Sequence, residues 1–452
     1  MSECHDAFLA KLRQRLADLE PASAPSGYAV AFSGGIDSRV LLEGCHRLGP
    51  GLGLRALHVD HGLQPESRRW AEHCRKAAGA LGVDFEAVEV TVPTDTGQSV
   101  EAAAREARYT ALGALLRPGE MLLTAHHEDD QLETVLLRLM RGAGVRGLRG
   151  VLQSGQLAAG HVGRPLLGFS KAEIVAAANR WELDWIEDPS NREERFDRNY
   201  LRAAVLPALR RRWPAVARTV SRAARQMVDA EEILAAAAAA DAAGIADHSR
   251  IPVGRLVELS AARQRNLLRH LLELNALPLP SAKQLEELVL ALGVVRPDAQ
   301  TCVSWPGADA RIHGGNVYLM PSLPECSPAQ DAGSVSPARP WAGPEGQLAL
   351  IEAEDPREAM AFPDAWVAAG LSVRFRRGGE RFRPRGAAHH RALKKLLQEA
   401  GIVPWMRSRI PLLYRDDELV GVGDLWVCDA AREGSGGEKA WQVRWSEHPP
   451  LR

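Results

Sequence analysis

No apolar run in the 452-residue chain approaches the ~20 residues needed to cross a bilayer, and the N-terminus lacks a basic-then-apolar export signal. The expectation is a soluble, cytoplasmic protein with no membrane partner. Cysteine is sparse and scattered: Cys4, Cys45, Cys74, Cys302, Cys326 and Cys428 include no C-x-x-C pair. Neither a disulfide framework nor a zinc ribbon is supported. The chain also lacks an excess of either charge. Its formal net charge of −1 neither favours nor excludes nucleic acid, so only local clusters bear on that question. Solenoid-type repeats are missing. So are the two commonest phosphate loops, G-x-x-x-x-G-K-[ST] and G-x-G-x-x-G, which excludes a Walker ATPase and the dinucleotide fingerprint.

What is present begins with Ala31-Phe32-Ser33-Gly34-Gly35-Ile36-Asp37-Ser38. It follows the strand-like Tyr28-Ala29-Val30 and opens a helical pattern. A strand turning through two glycines into a helix start leaves backbone N–H groups unpaired, beside the positive end of the helix dipole. Gly34 and Gly35 permit the turn and a close phosphate approach. Ser33 and Ser38 add hydroxyls, and Asp37 is placed to hold a metal carried by the phosphates. The plain alternative is a glycine turn capped by serine, which six specified residues at such a junction disfavour.

Downstream, strand patterns at Leu54–Val59, Phe85–Val92 and Met121–Ala125 alternate with helix patterns at Ser67–Leu81 and Ser99–Leu116. That order predicts a doubly wound parallel sheet covered on both faces. Ligands then sit beyond the carboxyl ends of the strands. Ser33, Asp60 and His126 each follow a strand and should ring one crevice.

His126-His127-Glu128-Asp129-Asp130-Gln131-Leu132-Glu133-Thr134 opens the next helix. Glu133 lies three residues after Asp130 and four after Asp129, so it shares a face with either. Carboxylates gathered there can receive an amine, accept its proton or hold Mg²⁺. The structural alternative is helix capping. Zinc is the weaker reading, because His126 and His127 are adjacent rather than four apart.

The S-G-G-x-D-S loop resembles that of the PP-loop ATP pyrophosphatase superfamily, which cleaves ATP between its α and β phosphates. With His58-Val59-Asp60-His61-Gly62-Leu63 and the H-H-x-D-D-Q-x-E-T block, the chain resembles the tRNA(Ile)-lysidine synthase family. Further matches are Glu101 with Arg105, Arg108 and Tyr109, then Arg164-Pro165-Leu166-Leu167. Glu187-Asp188-Pro189-Ser190-Asn191 and Arg198-Asn199-Tyr200-Leu201-Arg202 follow. The resemblance implies an adenine nucleotide α-hydrolase-like first domain and a two-step ligation. ATP adenylates O2 of the wobble cytidine of a tRNA(Ile) with anticodon CAU, and free L-lysine then displaces AMP. The codon read changes from AUG to AUA. ATP and Mg²⁺ are the implied cofactors. Ser33, Gly34, Gly35, Ile36, Asp37, Ser38, Asp60 and His61 match nucleotide-binding positions. Asp130 and Glu133 match residues that bind and deprotonate lysine. Arg198 is assigned to substrate or phosphate, with an ion pair to Asp197 or Glu194 as the alternative. Arg39, where a small residue is the default, is expected to face outward or touch the nucleotide. Glu128 adds one more negative charge.

Length suggests roughly three domains. The expected division is a catalytic domain at 1–215, a mainly helical tRNA-binding domain at 216–320, a Pro/Ser/Gly-rich linker at 321–370, and a small α+β tRNA-binding domain at 371–445. The basic run containing Arg202, Arg211 and Arg212 is a candidate phosphate track, against the alternative of a solvated helix face. Arg381, Arg383 and Lys394 form a second basic patch on the last domain. Homodimerisation is left open. Two rivals remain. A tRNA 2-thiolating relative would draw on paired cysteines, and a catalytically inactive tRNA binder would not need Asp37, Asp130 and Glu133.

Overall fold

The computed structural model describes residues 6–19, 24–60, 62, 67–91, 100–158, 160–187, 197–293, 301–324, 332–344, 346–354, 361–368, 370–432, 439–449 and 451. Two units, Met1–Ala237 and Ala238–Arg452, divide within the helix Val216–Ala242. His61, the Glu101 side chain and Asp188–Asn191 lie outside the described residues.

In the first unit, strand β1 (Gly27–Ala31) pairs in parallel with β2 (Leu54–Asp60) and β4 (Glu120–Leu123). β3 (Asp84–Glu89) extends the sheet beyond β2, and β6 (Gly160–Gly163) extends it beyond β4. β5 (Ser154–Leu157) closes that edge antiparallel to β6, giving the order β3-β2-β1-β4-β6-β5. Alternation along the strands fills both faces. Tyr28 and Val30 pack with α1 (Ala7–Ala17), α2 (Ile36–Arg47), α3 (Ser67–Ala80) and the late helix Lys171–Arg180. Ala29 and Leu57 face the other way, onto Leu112 of α4 (Val100–Leu115). The doubly wound α/β fold expected from the strand–helix alternation is therefore present. Successive strands run outward from β1 in one direction and resume with β4 in the other. The β1–β4 gap is the switch point where such sheets bind ligands.

α5 (Glu128–Met140) follows β4, and α6 (Val145–Leu148) and α7 (Lys171–Arg180) flank the β5–β6 hairpin. Two short helices, α8 (Asp197–Tyr200) and α9 (Leu206–Arg212), are joined by a π-helical turn at Leu201–Val205. Pro207 explains the turn. It cannot donate to the carbonyl of Ala203, so the helix widens and Leu206 N–H bonds back to Leu201 instead.

The second unit begins with four antiparallel strands in the order β7-β10-β9-β8. They are β7 (Arg250–Pro252), β8 (Thr301–Trp305), β9 (Ala308–His313) and β10 (Asn316–Pro321). Leu267 and Leu271 of the helix Ala261–Leu274, with Leu288 of Ala282–Leu292, bury one face of that sheet. The expected linker at 321–370 requires correction. Gly333–Val335 pairs with Leu371–Arg374, and Gly346–Glu352 pairs with Ala440–Ser446. Trp341, Leu348, Leu350 and Phe362 share one core with Val373, Leu397 and Leu413. The Pro, Gly and Ser content serves turns between short strands rather than a free tether. Among the described residues no helix is long and apolar enough to cross a membrane.

Candidate active site

The loop after β1 needs glycine at Gly34, whose φ is +85° and whose added Cβ would stand 2.9 Å from Cys74 Sγ. Ile186 N–H secures it from the far side, donating to Gly34 O at 2.9 Å. Gly35 caps α2 with no side-chain bond, so the first N–H groups of that helix stay available. A Cβ at Gly35 would meet nothing nearer than Ser33 Oγ at 3.7 Å, which leaves open room above the helix start. Ser38 Oγ donates to Gly35 O at 3.0 Å and lies 3.1 Å from Ser33 Oγ. Arg39 does not face outward and is not among the residues that line the cleft described below. It is buried against its own helix, with Nη1 2.9 Å from Glu43 Oε2, one turn along. Asp60 accepts Gly62 N–H at 2.8 Å.

Asp37 sits in the first turn of α2. Its Oδ1 takes a 2.5 Å hydrogen bond from Lys171 Nζ, at the start of α7, and lies 3.6 Å from His127 Nε2. Burial alone would raise its pKa, but His127 and Lys171 outweigh burial and hold the carboxyl below its usual range. His127 caps α5 through its ring, while Asp130 Oδ2 accepts the His127 backbone N–H at 2.9 Å. The capping alternative is thus realised, and the same residues still face the cleft. Burial opposes charging His127, yet Asp37 and Asp130 raise its pKa. His126, bonded to Thr124 Oγ1 at 2.9 Å, is pushed down to about 3, by burial first, and stays neutral.

The acidic helix start is tied to the π-turn segment. Arg198 donates from Nε to Glu133 Oε2 at 2.6 Å and from Nη2 to Asp130 Oδ1 at 2.7 Å. Arg202, one turn on, donates from Nε to Glu133 Oε1 at 2.5 Å and from Nη2 to Oε2 at 3.0 Å. Arg210 pairs with Asp129 at 2.6 Å. Burial would raise the pKa of Asp130, but His127 and Arg198 hold it down. Arg198 therefore pairs with the acidic helix, while Asp197 lies 3.7 Å from Arg141 and Glu194 lies outside the described residues. Arg202, expected on an outer phosphate track, is turned to Glu133. Arg211 and Arg212 remain exposed.

A cleft of about 540 Å³ is bounded by Ser33, Gly35 and Asp37 on one side and by His126, Asp130 and Arg198 on the other. Arg105 and Tyr109 line a further wall, the guanidinium 4.9 Å from the ring centre. The phosphate-type loop and the acidic helix start therefore open into one cavity. Among the described residues no group of three or more His, Cys, Asp or Glu side chains is arranged to hold a metal ion. Lys171 escaped the sequence reading. The signal was Ser170-Lys171-Ala172-Glu173, a capping-box helix start just after β6 on the same sheet edge.

Arg381, Arg383 and Lys394 belong to the second unit. Lys394 is exposed, and Arg381 Nη2 donates to His390 O at 2.9 Å. Arg383 is paired with Asp429, which also accepts Gly386 N–H at 3.0 Å.

Family models match three segments: a PP-loop domain at residues 7–209, a TilS substrate binding domain at 252–318 and a TilS substrate C-terminal domain at 371–445. The tRNA(Ile)-lysidine synthase of Alkalilimnicola ehrlichii is 42% identical over 430 residues, covering 92% of each chain. The chain belongs to the tRNA(Ile)-lysidine synthase family. The synthase of Coxiella burnetii is 38% identical over 92% of this chain and 93% of its own. That of Pseudomonas syringae is 40% identical over 96% and 95%. As a lysidine synthase family member, the chain carries the whole cleft within its PP-loop segment, from Ser33 to Arg202.

Proposed function

We propose that the protein joins free lysine to C2 of the wobble cytidine of tRNA(Ile) bearing the anticodon CAU, in the cytoplasm and at the cost of one ATP. The observation that carries this reading is the single cleft shared by the phosphate-type loop and the acidic helix start. A ligase that activates a base with ATP and then substitutes it with an amine needs both at one reacting carbon.

In the first step cytidine O2 attacks the α-phosphorus, the α–β bridge breaks and pyrophosphate leaves. The open N–H groups of α2, with Ser33 and Ser38, receive the departing phosphates. Lys171, bonded to Asp37, adds a cation beside that site. Asp60 completes the nucleotide side, whereas Ile36 packs against the core of the first unit and does not line the cleft. One ionised carboxylate beside a phosphate site is the usual protein share of a Mg²⁺ site, so Asp37 fits that ion, which would neutralise phosphate charge when bound. In the second step the ε-ammonium gives its proton to water in the open cleft, and the free amine attacks C2. The C2–O bond breaks and AMP leaves, a second amine proton also passing to solvent. Glu133 has both oxygens on guanidinium groups, and Asp130 is held below its ordinary pKa. Asp130 is a poor proton acceptor while so paired. The role of both acids is recognition: the Arg198–Arg202–Asp130–Glu133 cluster offers cations to the α-carboxylate of lysine and carboxylates to its α-ammonium.

The thiolating rival finds little support. Burial pushes the Cys45 and Cys74 thiols up to about 12, so neither supplies a thiolate near neutrality. Exchange of labelled pyrophosphate into ATP, dependent on the cognate tRNA, tests the reading against an inactive binder, which would hold tRNA without exchange.

The tRNA body is assigned to residues 216–320 and 371–445 and to exposed cations including Arg211, Arg212, Arg381 and Lys394. Pairing with Asp429 sets Arg383 apart. Replacing Arg381 and Arg383 together by Ala should weaken tRNA binding and reduce the salt slope by about 1, the share of one phosphate contact. A fall near 2 would return Arg383 to the interface, and an unchanged slope would remove both.

A further inference from the structure

Strand register in the second unit places Arg250, Tyr318 and Arg311 in one cross-strand row. Their neighbours Ile251, Val317 and Ile312 turn to the opposite face and fill the helical core. One face of this sheet is thus apolar and covered, and the other is aromatic and cationic. Trp405, from the Pro404–Met406 turn, meets that second face. Its ring lies 5.1 Å from Tyr318 at 75°, and the Arg311 guanidinium stands 5.4 Å from the Trp405 centre. Arg250 lies 5.7 Å from the centre of Tyr318. Neither aromatic ring is fully buried. The two rings touch edge to face, and together they line a cavity of about 220 Å³ that Asp247, Ser249 and Asn275 also line.

We propose that this cavity takes one unpaired nucleoside of the bound tRNA, its base against Trp405 and Tyr318 and its phosphate on Arg250. The inference rests on the tRNA reading given above. At about 220 Å³ the space is below the ~300–1,000 Å³ of sites for larger organic ligands, which suits a single ring system. Aromatic rings beside guanidinium groups are the chemistry that packs an unstacked base and holds its backbone. The rim favours donors on the ligand. Asn275 Nδ2 donates to both His248 O and Leu271 O, so its side chain offers only an acceptor. Asp247 Oδ1 already accepts from Ser249 N and Oγ, which fixes the rim without closing the cavity. The cavity joins Tyr318, at the end of the 252–318 match, with Trp405, inside the 371–445 match.

Arg250→Gln and, separately, Tyr318→Leu should each raise KM for full-length tRNA about tenfold, near the lower end of what loss of one base–aromatic stack costs. The kcat and the KM values for ATP and lysine should not move, and an unchanged melting temperature shows the fold is intact. Ultraviolet cross-linking of the wild-type protein to the same tRNA should label the peptide holding Tyr318 or Trp405, a readout independent of any variant. A normal tRNA KM in folded Arg250→Gln, or cross-links that avoid both peptides, overturns the inference. So does saturable binding of free AMP or CMP that Arg250→Gln abolishes while tRNA affinity stays unchanged, since the cavity would then serve a free nucleotide. A wild-type protein that makes no lysidine would instead overturn the functional reading itself.

Discussion

Asp37→Ala should suppress tRNA-dependent pyrophosphate exchange by on the order of 10²–10³ or more, the scale for losing one electrostatic contact in a transition state. Binding of tRNA should stay near wild type. The physical reason is local. Asp37 is the only carboxylate in the first turn of α2, and Lys171 and His127 hold it ionised beside the open N–H groups of the loop. Removing it takes away the anchor for a phosphate-borne cation and leaves Lys171 without its partner. No tRNA contact is assigned to it. Filter binding measures affinity and exchange measures activation, so the two effects separate cleanly. A variant that releases pyrophosphate at the normal rate would detach Asp37 from the first step.

Glu133→Gln should act on the other half of the reaction. Glu133 is 2% exposed, and its two oxygens accept three hydrogen bonds from Arg198 and Arg202. An amide cannot satisfy them all, because its NH₂ would face a guanidinium donor. Breaking a fully buried ion pair costs ~3–5 kcal/mol, and partial exposure of both arginines lowers the expectation to ~2 kcal/mol. Lysine recognition should weaken by on the order of 10–100-fold, the range for a lost charged hydrogen bond. Adenylated tRNA, followed with ATP labelled at the α-phosphate, should therefore accumulate. Unaltered lysine saturation would place the amino acid elsewhere.

Much of this arrangement was legible before any coordinates. Strand–helix alternation requires a parallel sheet, and three strand ends carrying Ser33, Asp60 and His126 must lie on one edge. Glycine at the β1–α2 turn is demanded by a positive φ that only Gly34 tolerates without strain. Less legible was the pairing of remote charges. Arg198 and Arg202 sit in a basic run that suggests a solvated face, and local spacing carries no sign of Glu133 roughly one-seventh of the chain away. The π-turn that aims them depends on Pro207, whose effect inside a helix is not a periodicity signal. Lys171 was hidden for a related reason: its partner Asp37 lies on another helix, and the capping box announces a helix start, not its neighbour. The 321–370 segment misled through composition. Turn residues outnumber apolar ones over 321–344, yet Trp341, with Leu348, Leu350 and Phe362 just beyond, is enough to join a core that later strands supply.

The most direct test of the shared cleft is incubation with ATP, radiolabelled lysine and tRNA(Ile) carrying a CAU anticodon, followed by digestion to nucleosides. The account predicts label in a single modified cytidine at the wobble position, formed only with ATP and accompanied by AMP and pyrophosphate. Pyrophosphate release with no lysine entering the RNA would contradict it, because activation would then proceed at a loop that does not share its product with the acidic helix.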